Sequence, residues 1–309
     1  MISVRKILVS VSQVFENTLL VLARTVVSAT SRLPVIRRLV FNLSRDTFLV
    51  ANAQETYLVA GKDGTISRKV YVEGEFEFHK IERAISLAKV DSSKLVFVDV
   101  GANIGVACIP VLKRGLAKRA IAFEPEPFNA KLLRINVLLN DMEDSVDFYG
   151  VALGEEEGSV EFELSDTNYG DHRIKTNLVG ASEKYNESQR DIISVPVRTL
   201  DEYLPEAMLA NCLIWMDTQG FEGFVLRGAQ RVITAAPPLV VEFWPYGMRR
   251  SGSYPALKEC LLDSAYCIFF DLRHPQIRQE LSAGALDRLY ANLGEEGRHT
   301  DLLLLKESA

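Results

Sequence analysis

Cysteine is scarce in this sequence. Four in 309 residues, Cys108, Cys212, Cys260 and Cys267, lie far apart or inside apolar segments, and none forms a CxxC pair. That excludes a disulfide framework and a thiolate metal cluster, and it points to reduced core cysteines in a cytoplasmic setting. Basic residues are also in the minority, 35 Lys and Arg against 41 Asp and Glu, for a net charge of −6. Nucleic acid demands clustered Lys and Arg to meet its phosphates, so no nucleic-acid partner is expected and a small-molecule substrate is. With 48% hydrophobic residues the chain has ample material for a core.

The scarce positive charge is concentrated at one end. Residues 1–50 carry seven Lys and Arg against two acids, a net +5. Their apolar stretches are broken by charge about every ten residues, too soon for a spanning helix of about 20 apolar residues. No small-residue cleavage site follows a clean apolar block, as a secretory signal requires. Two amphipathic helices remain. They pack on the body, mediate a homodimer, or rest a basic face on a membrane as a peripheral contact.

Three regions follow from the pattern: a basic helical arm over residues 1–50, a β-hairpin preface over 51–78 turning at Lys62-Asp63-Gly64, and a large domain over 79–309. In that domain a helix over "HKIERAISLAKVDSSK" leads to strands at "LVFVDV", "AIAFEP", "VDFYGVAL", "CLIWMD", "PLVVEFW", "YCIFFDL" and "DLLLLK". Helices are expected to about Arg114, over Pro127–Asn140, Phe224–Ala235 and Tyr254–Asp263, with a hairpin partner "GSVEFEL" and a Gly/Glu loop before the last strand. Strands apolar throughout, alternating with helices, mean an α/β fold whose mostly parallel sheet is covered on both faces.

The first strand runs into "VFVDVGANIGVA", where an acid and two glycines interrupt an apolar run. Such a turn forms the floor of a ligand site, because Gly101 and Gly105 let backbone approach a ligand and the next helix offers free N–H groups. Glu124 ends the following strand, 25 residues after Asp99, where a carboxylate can accept both hydroxyls of a ribose. A nicotinamide dinucleotide is disfavoured. The turn lacks the GxGxxG pattern, has Asn103 where a pyrophosphate needs glycine, and places Asp99 where it repels a diphosphate and favours a cation.

The chain resembles the class I methyltransferases that use S-adenosylmethionine, in the spacing Asp99, Gly101, Gly105. It is similar in particular to the FkbM family, through "VFVDVGANIGVA", "AIAFEPEPFNAKLLRINVLLN", "VALGEEEGSVEFEL", "VPVRTLDEYL" and "LIWMDTQGFEGFVLRGAQRVI", in order from about residue 75 to 245. The resemblance implies a Rossmann-like fold with a seven-stranded sheet. It also implies Asp99, Gly101, Ala102, Asn103 and Gly105 around the methionine part of S-adenosylmethionine, Glu124 and Pro125 at the ribose, and Ala152 near the adenine. The sequence departs from the family at Gln219, where an acid is usual, and at the apolar Gly150-Val151-Ala152.

Catalysis is expected to fall to Asp217 and Glu242, which end the fourth and fifth strands 25 residues apart, and to His172 in a polar loop. Asp217 reads as a general base or as a cap of the next helix. Trp244 and Tyr246 read as a wall of the acceptor pocket or as core. No metal is expected, because Phe243 follows Glu242 where a further oxygen ligand is needed. The reading is a methyltransferase acting on a hydroxyl of a sugar, glycan or polyketide-like natural product. The alternatives are a nicotinamide-dependent oxidoreductase and an inactive fold that binds or assembles.

Overall fold

The computed structural model describes residues 33–176 and 184–307; most of the expected arm, residues 1–32, lies outside them. The strands are β1 (Phe48–Asn52), β2 (Thr56–Ala60), β3 (Val96–Val100), β4 (Arg119–Phe123), β5 (Val146–Tyr149), β6 (Ala152–Leu153), β7 (Gly158–Leu164), β8 (Arg173–Ile174), β9 (Asp191–Arg198), β10 (Cys212–Met216), β11 (Leu239–Phe243), β12 (Ile268–Asp271), β13 (Arg278–Glu280) and β14 (Thr300–Leu305). The helices are α1 (Pro34–Leu43), α2 (Ile66–Glu73), α3 (Phe78–Ala88), α4 (Cys108–Lys113), α5 (Pro127–Leu139), α6 (Glu206–Leu209), α7 (Glu222–Arg227), α8 (Gln230–Ala235), α9 (Pro245–Ser251), α10 (Tyr254–Leu262) and α11 (Ala283–Leu293).

The main sheet has the order β13-β12-β14-β11-β10-β3-β4-β5. Strands β3, β4, β5, β10 and β11 pair in parallel, whereas β14 runs antiparallel to both β11 and β12. Seven of these strands make the Rossmann-like methyltransferase sheet expected from the sequence. The eighth, β13, is an added antiparallel edge on β12. Alternate residues of each strand feed two separate cores. Val98, Ile214 and Val241 point to one face, and Phe97, Leu213 and Val240 to the other. Burial on both faces is why these strands are apolar without alternation.

The strand order reverses between β3 and β10: from β3 the order runs outward through β4 and β5, then resumes on the other side with β10 and β11. Ligands bind at the carboxyl ends of strands at such a point. A second sheet of order β6-β9-β7-β8 stands beside it, with a small core of Ala152, Phe162, Val195 and Val197.

Several local expectations need correction. The hairpin joins β1 to β2 at residues 53–55, not at Lys62-Asp63-Gly64, and β1 begins inside the expected arm. Asp63 instead accepts from the backbone N–H groups of Thr65 (Oδ1, 3.1 Å) and Ser67 (Oδ2, 2.7 Å), so it starts helix α2 where a second hairpin strand was expected. The hairpin hangs on α5, where Asn136 and Asn140 accept from the N–H groups of Leu58 (2.7 Å) and Thr56 (3.0 Å). The helix expected over Phe224–Ala235 is two helices, parted at Gly228 and Ala229, and Gly228 must be bare because a Cβ there would stand 2.1 Å from the Gly154 carbonyl oxygen. The expected Gly/Glu loop contains α11, whose N-cap Ser282 accepts from Ala285 N–H at 3.2 Å. Cys267 is exposed just ahead of β12; the other three cysteines are buried as expected.

Candidate functional site

At the carboxyl ends of β3, β4 and β10 lies a cleft of about 130 Å³, partly open to solvent. Its floor is the glycine turn. Gly101 has φ +89°, and a Cβ on it would stand 2.0 Å from the carbonyl oxygen of Asp217, so glycine is required both by backbone conformation and by the close approach of the β10 end. Asn103 also takes a left-handed conformation, φ +50°. Its N–H donates to Glu124 Oε2 at 2.9 Å, and the other Glu124 oxygen accepts from Glu126 N–H at 2.8 Å.

Of the residues expected at the cofactor, Asp99, Gly101, Ala102, Asn103, Glu124, Pro125 and Ala152 line this cleft. Gly105 does not. A Cβ there would press on Ile109 (2.6 Å) and Leu133 (3.0 Å), so its bareness serves the packing of α4 and α5 beneath the turn. Asp99 is buried and accepts from Cys108 N–H at 3.0 Å. Burial raises its pKa to about 7, despite the Cys108 hydrogen bonds. Burial likewise raises Glu124 to about 8, against the lowering effect of the backbone donors.

Asp217 and Glu242 are brought together, though only Asp217 reaches the cleft. Gln219 Nε2 lies between them, donating to Asp217 Oδ1 at 2.7 Å and Glu242 Oε2 at 3.2 Å. Burial raises the pKa of both carboxyls, and for Glu242 the nearby charge of Asp217 pushes the same way. Asp217 does not cap α7. Glu222 holds that turn instead, accepting from the N–H groups of Thr218 (2.9 Å) and Gly220 (3.2 Å). One oxygen from each of Asp217, Glu222 and Glu242 lies within 4.8 Å of the others, a spacing open to a hard cation.

His172 lines the cleft. Its Nδ1 accepts from Ser165 N–H at 2.9 Å, which leaves the ring proton on Nε2, and burial together with the Arg190 charge lowers its pKa to about 4. The ring is a hydrogen-bond donor toward the cleft rather than a base. Trp244 and Tyr246 are buried in an aromatic group with Tyr185 beside the cleft and do not line it.

Polar lining residues not expected from the sequence include Glu77, Asn129, Tyr169 and Asp301. Lys80 joins Asp301 (2.8 Å) to Glu77. The Tyr169 carbonyl accepts from Asn103 Nδ2 (2.8 Å) and Asn129 Nδ2 (3.0 Å), while Tyr169 N–H donates to Asp63 Oδ1 (3.2 Å). The loop carrying Tyr169 and His172 is therefore tied to the glycine turn on one side and to the start of α2 on the other. Asn129 Oδ1 is buried with no hydrogen-bond partner. The only local hint of its use was its place five residues after Glu124.

Among the described residues, the lining holds five carboxyl groups, Glu77, Asp99, Glu124, Asp217 and Asp301, and no Lys or Arg. Lys80 pairs Glu77 and Asp301, which leaves Asp99, Glu124 and Asp217 to meet a ligand. Once ionised, these three favour a cation and a ligand rich in hydroxyl donors over a diphosphate.

Residues 99–283 match the family described as methyltransferase FkbM domain. The 2-O-methyltransferase NoeI of Sinorhizobium fredii is 28% identical over 174 residues, covering 53% of this chain and 69% of that protein. Among solved structures, the M1A22 tRNA methyltransferase TrmK of B. subtilis superposes with a TM-score of 0.37 at 10% identity, over 74% of this chain and 66% of that one. TYW2 of P. horikoshii, solved in complex with MeSAdo, superposes with a TM-score of 0.32 at 15% identity, over 85% and 73%. Both superpositions are too loose to bear on activity.

Proposed function

The chain belongs to the methyltransferase FkbM family, and we propose that it transfers a methyl group from S-adenosylmethionine to a hydroxyl oxygen of a sugar, glycan or polyketide-like natural product. The observation that carries this reading is a cleft lining in which Asp99, Glu124 and Asp217 have no Lys or Arg beside them among the described lining residues. It suits a cofactor bearing a sulfonium and an ammonium, and it opposes a nicotinamide dinucleotide. Oxygen as the acceptor is supported by the likeness to a 2-O-methyltransferase.

The residues present fit that cofactor. Asp99, Gly101, Ala102 and Asn103 would hold its methionine part, Glu124 and Asn129 its ribose hydroxyls, and Pro125 and Ala152 would pack near its adenine; Glu124 keeps lone pairs free, and Asn129 Oδ1 has no protein donor. When bound, the cofactor supplies a methyl group on a positively charged sulfur, which an oxygen nucleophile displaces in line.

The protein's part is alignment, exclusion of water and custody of one proton. The Tyr169 loop lines one wall of the cleft. His172 Nε2–H would orient the acceptor oxygen, and the Asp217 carboxylate would take the hydroxyl proton as that oxygen gains the methyl group and the carbon–sulfur bond breaks to leave a neutral thioether. Gln219 positions Asp217 by holding its Oδ1.

Calorimetric titration with S-adenosylhomocysteine, with NAD as control, tests the cofactor. Binding of the first alone is expected, and binding of NAD alone would overturn the reading. Transfer of labelled methyl from S-adenosylmethionine to hydroxyl-bearing glycans tests the chemistry, since label found only on nitrogen or carbon would rule out an oxygen acceptor.

A further inference from the structure

Of the large apolar side chains left exposed among the described residues, half lie within residues 33–50. They are Leu33, Val35, Leu39, Val40 and Leu43 at α1, and Phe48 and Val50 on β1. Helix α1 is attached by its opposite side, through buried Phe41 against Tyr71 (ring centroids 5.9 Å apart) and Arg37 over the Tyr71 ring (5.0 Å). Val35, Leu39 and Leu43 recur every four residues, so they form one stripe, and Val35 and Leu43 are 77% and 79% exposed. Phe48 and Val50, two apart on β1, share one face of that strand. Soluble monomers seldom leave so many large apolar side chains bare within one short segment.

Charge selects what covers it. Residues 33–50 carry Arg37, Arg38 and Arg45 against Asp46 alone. The preceding residues 1–32 add four basic residues and one acid, so that segment shares the sign of the surface, and a second copy would bring the same arginines against themselves. An anionic lipid surface has the opposite sign and accepts both the apolar stripe and its basic rim. No helix among the described residues is long and apolar enough to cross a membrane, so the contact lies in the interface plane.

The surface also leads to the cleft. Phe48 stacks on the half-exposed Phe128 (5.9 Å), which meets Tyr169 edge-on (5.7 Å), and Tyr169 lines the cleft. We propose that the α1–β1 face docks on an anionic bilayer and thereby sets the mouth of the cleft at the lipid surface, where, granted the methyl transfer proposed above, it meets hydroxyl acceptors carried on membrane-bound or amphipathic molecules.

Flotation of the full chain with phosphatidylglycerol/phosphatidylcholine vesicles tests this. Flotation with these vesicles, little with pure phosphatidylcholine and release by salt are expected. Leu39→Glu, and separately Arg38→Glu with Arg45→Glu, should each lower the bound fraction roughly tenfold or more. Both variants should keep the parent's affinity for S-adenosylhomocysteine, a readout that reports the cofactor reading and the fold independently of lipid. Absence of flotation, equal flotation on neutral vesicles, or variants that float like the parent would overturn the proposal. So would a concentration-dependent dimer abolished by Leu39→Glu, which would assign the face to a second copy.

Discussion

Glu124 and Asn103 are joined by a hydrogen bond in which the Asn103 N–H donates to the carboxylate at 2.9 Å. The residue assigned to the ribose therefore also fixes the turn beneath the methionine part. Glu124→Ala should weaken binding of S-adenosylhomocysteine about 10- to 150-fold, the loss of hydrogen bonds to a charged group worth about 1.5–3 kcal/mol. It should also lower the melting temperature, because it orphans the N–H groups of Asn103 and Glu126. Titration calorimetry and thermal denaturation read the two effects separately, and unchanged affinity would remove Glu124 from the ribose.

Binding should depend on pH with a definite sign. Burial raises Asp99 to about 7 and Glu124 to about 8, so both hold protons in the free protein at mildly acid pH. A cationic cofactor favours their ionised forms. Affinity for S-adenosylmethionine should then rise between pH 6 and pH 8 with release of protons, which calorimetry in buffers of different ionisation heat measures. Stability of the free protein should move the other way. Folded pKa values above the unfolded ones of about 4 mean that these two groups favour the fold most below pH 4, and that contribution is lost as pH rises through 7 to 8.

Asn129 presents an acceptor without a donor. Asn129→Ala should weaken S-adenosylhomocysteine by about tenfold, and its effect should vanish against an analogue lacking the ribose hydroxyl that Asn129 meets. Equal losses for 2′-deoxy, 3′-deoxy and full-length ligands would show that Asn129 only fastens the Tyr169 loop.

Gly101→Ala should disable two turns at once, since the new Cβ would stand 2.0 Å from the Asp217 carbonyl oxygen and the residue would keep a left-handed φ. Strain and overpacking together predict a destabilisation of about 2–5 kcal/mol and no detectable cofactor binding. Denaturant titration with parallel calorimetry would show it.

Turnover should survive EDTA. Asp217 Oδ1 and Glu242 Oε2 accept from Gln219 and Glu222 Oε1 serves the turn at 218–220, which leaves Glu222 Oε2 buried without a donor and a set short of the roughly six or more oxygens a hard cation takes. Loss of activity on chelation and recovery with Mg²⁺ would show instead that Asp217, Glu222 and Glu242 carry a cation.

What could be read from the sequence was whatever sits close along the chain. Asp99, Gly101 and Asn103 share one turn, Glu124 ends the next strand, and the apolar strands announced a sheet buried on both faces. Helix α2 looks like a strand in the sequence because "ISRKVYV" alternates, while the carboxylate that binds its first turn, Asp63, lies before that run. Helix α11 looks like a loop because glycine falls in its first turn, although Leu286 and Leu293 bury a helical face. Glu77, Asn129, Tyr169 and Asp301 belong to no local motif. They reach the cleft through tertiary packing, as with Asp301, which stands opposite Glu242 across the β11–β14 pair.

The fastening of Tyr169 has a mechanical consequence. Its carbonyl accepts from Asn103 and Asn129 and its N–H donates to Asp63, so the loop can shift only by breaking all three hydrogen bonds, which disturbs the glycine turn and the start of α2 together.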